Sequence, residues 1–306
     1  MSNLLAPIAL FVYNRPEHTR KTVEALLQNV EAGQSDLFVF SDAPKKPSDR
    51  KSVIAVREYI HQISGFSTLT VIERPENFGL AKSIIGGVTQ LCERFGRVIV
   101  LEDDLLTSPG FLSFMNKALV RYQDDKQVWH ISGWNYPIET DELADAFFWK
   151  TMNCWGWATW QDRWKFFEKK PQDLIARWTP YQINAFNLDG AYDFWYQVVR
   201  NQKGKLNTWA IFWYATIFDH AGLCLNPVRS YVVNIGHDGT GENCRKRTHF
   251  SVKQSLSQRI DVELPDGIYE NEVAILRIKD FLIKNTSNNL LLRLIKHLKR
   301  YLDRIN

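Results

Sequence analysis

Three adjacent carboxylates, Glu102, Asp103 and Asp104, are the residues whose types and spacing point most clearly to chemistry. They directly follow the apolar run 98–101, which is typical of a buried strand. Three neighbouring negative charges repel one another, so stability alone does not account for them. A divalent cation would remove the repulsion, and carboxylate oxygens suit Mg²⁺ or Mn²⁺, which also bind phosphate oxygens. The alternative is a solvated acidic turn before a helix that starts near residues 107–109.

The elements that must position this acidic triplet alternate along the first hundred residues. The apolar runs predict strands near residues 8–13, 37–40, 69–72 and 98–101, and helical periodicity fills the stretches between them. This order predicts a parallel sheet with helices on both faces. Ligands bind such sheets beyond the carboxyl ends of the strands. Arg15, Asp42 and the triplet follow three of these strands, so we expect them at one edge.

Composition and charge narrow the class of protein. The chain has 306 residues, of which 45% are hydrophobic and 24% are charged, as in soluble globular proteins. Its four cysteines form no CxxC pair, which argues against a disulfide scaffold or a zinc ribbon and suits a reducing compartment. No basic residue precedes the apolar run 4–13 and no cleavage site follows it, so we predict a strand there rather than a signal peptide. These features predict a cytoplasmic protein.

The basic charge is concentrated in the C-terminal segment 290–306. Its five basic residues and one acidic residue account for the whole net charge of +4, so the rest of the chain is neutral and predicts no nucleic-acid groove. The segment has an apolar face and a basic face, which is typical of a helix that lies on an anionic membrane surface. That pattern predicts a peripheral location on the inner face of the cell membrane and a lipid-linked oligosaccharide acceptor. Packing on the main domain or on a protein partner is the alternative.

The second half of the chain is rich in aromatic residues. All eleven tryptophans lie between Trp129 and Trp213. We expect most of them in the core, because aromatic side chains dominate burial by area, and one or two of them against a ligand. A last strand is predicted at 227–233. The segment 234–241 that follows has three glycines, which favours a mobile loop near a ligand, with His237 as a candidate metal or phosphate ligand.

Several phosphate-binding and hydrolytic motifs are missing from the sequence. It contains no GxGxxG, no GxxxxGK[ST], no GxSxG and no HExxH. Dinucleotide-dependent oxidoreductases and P-loop NTPases are therefore disfavoured. The sequence instead favours a nucleotide held by strand ends, with its diphosphate neutralised by a metal at Asp103 and Asp104.

A set of short motifs, taken in order, resembles a GT-A glycosyltransferase of the N-acetylglucosaminyltransferase I type and its bacterial relatives in surface-polysaccharide synthesis. The resemblance spans about residues 7–240. The motifs are Phe11-Val-Tyr-Asn-Arg-Pro, Ser41-Asp42, Asn77-Phe78-Gly79, the strand that ends in Glu102-Asp103-Asp104, Ser132-Gly133-Trp134-Asn135, and a segment from Gly156-Trp157 to Trp164.

The resemblance implies a Rossmann-like GT-A fold and an inverting transferase that uses a nucleotide diphospho-sugar, most often a UDP-sugar, with Mn²⁺ or Mg²⁺. Carried over by position, Asp104 would ligate the metal, and Asp103 and Glu102 would contact the ribose and the donor sugar. Asp42 would face the base. Arg15 would approach the diphosphate, which agrees with the affinity of guanidinium groups for phosphate oxygens.

Direct displacement at the anomeric carbon needs a base for the proton of the acceptor hydroxyl, usually Asp or Glu. In the family this base lies in a Trp-Asp-Asp-Trp element. An alignment on Asp193-Phe194-Trp195 gives Asp193, whereas an alignment on residues 209–213 gives no base. We therefore predict Asp193 as the base, with Asp162 as the second candidate.

The sequence thus predicts a nucleotide-sugar-binding half at 1–135, an acceptor and catalytic half at 136–244, and a C-terminal extension at 245–306. The expected function is transfer of a sugar to a glycan acceptor. Two alternatives stay open: a sugar-phosphate nucleotidyltransferase, which usually has a glycine-rich basic loop after the first strand, and a non-catalytic carbohydrate-binding protein built on the tryptophans.

Overall fold

The computed structural model describes residues 5–239 and 255–287. Strands and α-helices alternate through the first part of the chain and become less regular after residue 132. The strands are β1 (Ile8–Val12), β2 (Asp36–Ser41), β3 (Thr68–Glu73), β4 (Arg97–Glu102), β5 (Leu105–Thr107), β6 (Val128–Ser132), β7 (Ala146–Trp149), β8 (Trp157–Trp160), β9 (Leu223–Pro227) and β10 (Val232–Asn234). The α-helices are α1 (Pro16–Leu26), α2 (Arg50–Ile60), α3 (Gly79–Phe95), α4 (Phe111–Arg121), α5 (Gln161–Trp164), α6 (Pro171–Arg177), α7 (Pro180–Phe186), α8 (Trp195–Gln202), α9 (Ala210–Asp219) and α10 (Glu272–Ser287).

One eight-stranded sheet forms the centre of the molecule, in the order β3-β2-β1-β4-β8-β6-β9-β7. The first four strands of that order are mutually parallel, as the sequence predicts. Strand β8 is antiparallel to both β4 and β6, β9 is parallel to β6, and β7 is antiparallel to β9. The predicted class, an α/β protein of the Rossmann-like GT-A kind with a mainly parallel sheet, is confirmed.

The central strands are buried on both faces because helices cover both sides. Ala9 and Phe11 of β1 pack on the side that carries α3, in a cluster with Ile84 and Val88. Leu10 and the β1 residues two positions before and after it pack on the other side, in the cluster that contains residues of α1, α2 and α4. Side chains of a strand point alternately to opposite faces, so every β1 residue is apolar and buried.

The strand order creates a crevice between β1 and β4. From β1 the chain moves outward to β2 and β3 with α1 and α2 on one face. It then returns through α3 on the other face to pair β4 with the free side of β1. The segments that follow β1 and β4 therefore leave the sheet edge in different directions, which opens the site where doubly wound sheets bind ligands. Arg15 and the acidic triplet follow these two strands.

Nine of the eleven tryptophans are buried, so the expectation of an aromatic core is confirmed for them. Trp213 and Trp157 are 0% and 1% exposed, and their rings pack within a chain of aromatic contacts through Trp164. Trp155 and Trp195 are partly exposed. The second half of the chain thus replaces regular helical layers with a continuous aromatic core.

Some local predictions were wrong. The expected strand at 227–233 is split, since β9 ends at Pro227 and β10 covers Val232–Asn234. The weakly patterned stretch after 255 contains α10, which the sequence reasoning missed because its apolar positions do not form one clean stripe. Strands from both sides of the 135/136 boundary belong to the same sheet, and the predicted division of the chain into two halves and a C-terminal extension stays a prediction. The amphipathic segment 290–306 lies outside the described residues, so its helix and its membrane contact stay predictions.

Candidate active site at the carboxyl edge of the sheet

Arg15 is positioned by the proline that follows it. Pro16 occupies the first turn of α1, and a residue before proline avoids the helical region, so Arg15 keeps an extended backbone with φ −120° and ψ 76°. Its side chain turns back to the end of β4, where one guanidinium nitrogen contacts Asp103 and Nη1 lies 3.0 Å from Oδ2 of Asp104. The contacts of the Arg15 guanidinium with two carboxylates therefore link the ends of β1 and β4 across the crevice.

The acidic pair is buried. Asp103 is 3% exposed and Asp104 is 4% exposed. Besides the contact with Arg15, Oδ2 of Asp103 accepts a hydrogen bond from the backbone N–H of Tyr13 at 3.3 Å, and its backbone carbonyl accepts one from the Thr22 hydroxyl at 2.9 Å. Strand β1 and helix α1 thus fix Asp103 in position.

Burial and mutual repulsion alter the proton affinities of these groups. Burial, together with the charges of Asp104 and Asp103, raises the pKa of Glu102 well above the usual range of a glutamate. Burial also raises the pKa of Asp103, although Arg15 opposes that shift. Burial disfavours the charged form of Arg15, but both aspartates outweigh it and the pKa of Arg15 is raised. The buried site thus sets three carboxyl groups beside one guanidinium.

The loop after β10 covers Asp104. The backbone N–H of Ile235 donates to the carbonyl of Asp104 at 2.8 Å, and the Asn234 amide nitrogen lies 3.5 Å from Oδ1 of the same residue. A Cβ on Gly236 would lie 2.1 Å from Oδ2 of Asp104 and 3.0 Å from Nη1 of Arg15. Only glycine permits this approach of the backbone to the carboxylate.

His237 belongs to this covering loop, within the turn Gly236–Asp238. Its ring packs against Trp155 with a centroid distance of 5.6 Å. Oδ2 of the next residue, Asp238, lies 3.2 Å from Nε2 of His18 in α1. The structure therefore brings His237 beside the acidic pair, while its role as a metal or phosphate ligand stays a prediction.

The carboxylate oxygens of Asp103 and Asp104 are negatively charged oxygen ligands, which suit a hard divalent cation. The two buried carboxylates face a close-fitting backbone turn, and a single guanidinium, that of Arg15, lies between them. Within residues 5–239 and 255–287, no three acidic, histidine or cysteine side chains converge on one point that could hold a metal. Mg²⁺ is usually held by one or two carboxylates plus water and substrate phosphates, so phosphates would have to complete this shell.

Asp42 lies at the carboxyl edge of the sheet, as expected, but its carboxylate accepts hydrogen bonds from the next residue and from the start of helix α3. Oδ1 accepts hydrogen bonds from the backbone N–H of Ala43 at 2.9 Å and of Phe78 at 2.8 Å. Oδ2 accepts from the backbone N–H of Gly79 at 2.8 Å and from the Asn77 amide at 3.1 Å. A nucleobase N–H could bind Asp42 only by displacing one of these four hydrogen-bond donors. The predicted contact between Asp42 and the nucleobase therefore stays a prediction.

Asp193 is exposed and lies at the start of α8. One oxygen, Oδ1, accepts from the backbone N–H of Tyr196 at 3.1 Å and from the Asn187 amide at 3.5 Å. The second oxygen makes no hydrogen bond or ion pair within the described part of the chain. Asp193 therefore combines a helix-capping role with a carboxylate oxygen that faces solvent.

Asp162 lies away from the acidic pair, and its role as a base stays a prediction. It follows β8, which runs antiparallel to β4 with Trp160 opposite Arg97. Asp162 thus lies at the amino end of β4, about 20 Å from the acidic pair at a rise of ~3.3 Å per residue. Ion pairs with Lys126 at 2.8 Å and Arg163 at 2.7 Å outweigh partial burial and lower its pKa.

Sequence reasoning missed Asn234, His18 and Trp155 as parts of the site. The three glycines of 234–241 indicated the loop, but only the pairing of β10 with β5, which follows Asp104, places that loop on the acidic pair. The motif residues Gly133 and Gly156 act in packing, since the Gly133 N–H donates to the Gly156 carbonyl at 2.6 Å. A Cβ on Gly133 would lie 2.8 Å from that oxygen.

The fold and site together are a doubly wound sheet with a buried acidic pair and an arginine at its switch point. The family model described as the GNT-I family matches residues 2–178, which is more than half of the chain. The chain therefore belongs to the GNT-I family. This membership favours a glycosyltransferase over a nucleotidyltransferase or a carbohydrate-binding protein.

A curated relative is the alpha-1,3-mannosyl-glycoprotein 2-beta-N-acetylglucosaminyltransferase of Arabidopsis thaliana, which is 23% identical over 212 residues. The match covers 66% of this chain but only 44% of the relative, so the chain spans less than half of that protein's length.

Similar solved structures include the mannosyltransferase PcManGT from Pyrobaculum calidifontis in complex with GDP-Man and Mn²⁺, at a TM-score of 0.38 and 12% identity, covering 72% of this chain and 70% of that one. An active-site mutant of LgtC matches with a TM-score of 0.34 and 11% identity, over 69% of this chain and 70% of that one.

Proposed function

We propose that this protein is a metal-dependent inverting glycosyltransferase. It would move a sugar, a hexose or an N-acetylhexosamine, from a nucleotide diphospho-sugar to a glycan acceptor. A UDP-sugar is the donor we expect. Membership of the GNT-I family supports the class of reaction, and the name of the curated relative supports an N-acetylglucosaminyl donor.

The observation that carries this proposal is the buried Asp103–Asp104 pair, joined to Arg15 in the crevice between β1 and β4. A buried acidic pair is costly unless it is compensated, and a stable fold gains more from an apolar residue at such a place. Nucleotide diphosphates are negatively charged and need a positive partner in a site of this kind. Asp103 and Asp104 would hold that partner, and Arg15 would contact the phosphate oxygens directly.

The reaction we propose is one displacement at the anomeric carbon. The acceptor oxygen forms a bond to that carbon while the bond from the carbon to the diphosphate oxygen breaks, and the diphosphate leaves with the electron pair. The proton of the acceptor hydroxyl passes to a carboxylate, for which we propose the solvent-facing oxygen of Asp193. A divalent cation, Mn²⁺ or Mg²⁺, when bound at Asp104, supplies Lewis-acid neutralisation of the leaving diphosphate.

The chain's own residues have distinct tasks in this scheme. Arg15 orients the diphosphate, and Glu102 and Asp103 contact the ribose and the donor sugar. The loop 234–238, with His237 at its centre, covers the phosphates and excludes water. Gly236 allows that loop to close on Asp104 without a steric clash.

The finer features of the function are part of the proposal. We propose a lipid-linked oligosaccharide acceptor, a role in bacterial surface-polysaccharide synthesis, and attachment to the inner face of the cell membrane through residues 290–306. Within residues 5–239 and 255–287, none of the helices combines the length and apolar character needed to cross a bilayer.

The test is a calorimetric titration with UDP in the presence and absence of Mn²⁺. We expect binding that requires Mn²⁺ and is lost in Asp104→Asn. The matched control is Asp162→Asn, an acidic residue at the opposite edge of the sheet, which should bind UDP as the unmodified protein does. Metal-independent binding that survives Asp104→Asn would overturn the assignment of the acidic pair.

A further inference from the structure

A cavity of about 380 Å³ lies in the aromatic half of the protein. Its walls come from four segments: the turn after β6, the residues before β8, residues 192–197 at the start of α8, and helix α9. Its aromatic lining residues are Trp134, Tyr136, Trp155, Tyr192, Phe194 and Tyr214. The ring of Trp155 stands edge-on to that of Trp134, at 4.8 Å between centroids, so the cavity has one rigid corner.

The chemistry of the walls selects an uncharged ligand. None of the described residues that line the cavity is Asp, Glu, Lys, Arg or His. A diphosphate would lose its hydration there without gaining a positive partner, which is prohibitively costly. The volume falls in the range of small-molecule sites, which are mainly aromatic with a few polar groups that fix orientation.

Two amide side chains supply those polar groups. Asn153 and Gln197 both line the cavity. The Asn153 nitrogen donates to the Trp134 carbonyl at 3.4 Å, which leaves its oxygen as an acceptor. The Gln197 side chain makes no hydrogen bond within the described part of the chain and is partly exposed. Amides that both donate and accept suit sugar hydroxyl groups, and partly exposed aromatic faces suit the apolar faces of pyranose rings.

The cavity adjoins the acidic site on one side and the proposed base on the other. Trp155 lines the cavity and also packs on His237, which follows Gly236 beside Asp104. Asp193 lies between two wall residues in the chain, Tyr192 and Phe194. A sugar held in the cavity would therefore lie between the loop that covers Asp104 and the chain segment that carries Asp193.

We propose that this cavity binds one neutral hexopyranose unit of the acceptor glycan. The proposal rests on the proposed transferase function, which makes an acceptor necessary. The aromatic walls would hold the apolar face of the ring, and Asn153 and Gln197 would orient its hydroxyl groups. The phosphates and the nucleotide would remain on the other side of Trp155.

The test measures binding of methyl glycosides of mannose, glucose, galactose and N-acetylglucosamine by saturation-transfer NMR. Ala210→Leu fills the cavity from the first residue of α9, where both residue types favour a helix. Gln197→Ala removes one polar group without filling the space. Tyr196→Ala is the control, because Tyr196 lies on the same helix as Gln197, is 54% exposed and does not line the cavity.

We expect at least one glycoside to bind, and its affinity to fall about tenfold in Ala210→Leu and in Gln197→Ala, equal to ~1.4 kcal/mol, but not in Tyr196→Ala. Binding by none of the four glycosides, or binding that is equal in all variants, would overturn the proposal. So would loss of saturation transfer to the sugar protons of a UDP-sugar in Ala210→Leu, since the cavity would then hold the donor sugar.

Calorimetry with UDP and Mn²⁺ on the same samples separates the cavity from the transferase function. We expect equal UDP affinity in Ala210→Leu, Gln197→Ala and the unmodified protein. Glycoside binding without any UDP binding would support the sugar cavity and count against the transferase.

Discussion

Removal of the Arg15 side chain should change the affinities for metal and for nucleotide in opposite directions. In the protein without ligands, the guanidinium of Arg15 pairs with both Asp103 and Asp104, so it already occupies the carboxylates that a cation needs and offsets part of their charge. Mn²⁺ must therefore compete with Arg15. Once the diphosphate is bound, the same guanidinium has phosphate oxygens as partners and contributes to nucleotide binding.

The magnitude follows from the geometry. Two unit charges 4 Å apart interact by about 4 kcal/mol at an effective dielectric constant of 20. Arg15 is 16% exposed, so some of this repulsion between Arg15 and the cation is screened. We expect Arg15→Ala to bind Mn²⁺ alone roughly 10- to 100-fold more tightly. At saturating Mn²⁺ it should bind UDP about 10-fold or more weakly, because a hydrogen bond to a charged group contributes about 1.5–3 kcal/mol.

Electron paramagnetic resonance of free Mn²⁺ gives the affinity for Mn²⁺ alone. Calorimetry at saturating Mn²⁺ gives the affinity for UDP. Arg20→Ala is the matched control, because Arg20 lies on the same helix and its ion pairs within the described part of the chain are with two exposed glutamates, Glu17 and Glu24. Arg15→Lys keeps the positive charge and should leave Mn²⁺ affinity nearly unchanged, which separates competition from misfolding. Unchanged or weaker Mn²⁺ binding in a folded Arg15→Ala would refute the reasoning.

Three further changes test separate parts of the structure. Gly236→Ala should weaken Mn²⁺-dependent UDP binding at least about tenfold, because its Cβ would lie 2.1 Å from Asp104. Asp193→Asn should lower kcat about 10²- to 10⁴-fold with UDP affinity unchanged, because Asn keeps the helix cap but accepts no proton. Burial lowers the pKa of His130 to about 3 from its ordinary 6.5, and its Nδ1 accepts from Trp213 at 3.2 Å. Below pH 6.5 the unfolded chain then binds a proton that the folded protein refuses, so the free energy of unfolding should fall by up to ~1.4 kcal/mol per pH unit towards pH 3. His130→Gln should remove this slope.

Each of these predictions has a control and an opposing result. Gly86→Ala is matched to Gly236→Ala, because a Cβ at Gly86 meets nothing within 4 Å, and equal UDP affinity in both variants would contradict the close contact. A full kcat in Asp193→Asn would exclude Asp193 as the base. Chemical denaturation at a series of pH values measures the His130 contribution, and an identical acid slope in His130→Gln would show that another group titrates.

Much of the fold follows from local patterns in the sequence. Short apolar runs alternate with helical periodicity through residue 101, and such a sequence buries its apolar faces only as a parallel sheet between two helical layers. The same patterns brought Arg15, Asp42 and the acidic triplet to one edge, because the carboxyl ends of parallel strands share an edge. Family resemblance added the class of reaction, which agrees with the GNT-I match.

The second half was harder to predict because its order depends on distant partners. Strand β8 runs antiparallel between β4 and β6, and this direction carries Asp162 away from the site although the sequence alone placed it among the candidates. Nothing in the residues near Asp162 indicates strand direction. The aromatic runs predicted burial, and nine tryptophans are indeed buried, but periodicity could not tell which remain partly exposed.

The sequence by itself determined the four parallel strands β1 to β4, the helices between them and the acidic triplet, since these depend on periodicity and on residue type over short stretches of chain. Only the tertiary structure decided what surrounds Asp104. Residues 234–238 are separated from it by about 130 positions in the chain, and the pairing of β10 with β5 brings them together. It also decided that Arg15 pairs with both aspartates and that Trp155 stands between the cavity and His237. Contacts between residues so far apart in the sequence depend on the packing of the whole chain, and local sequence patterns do not determine that packing.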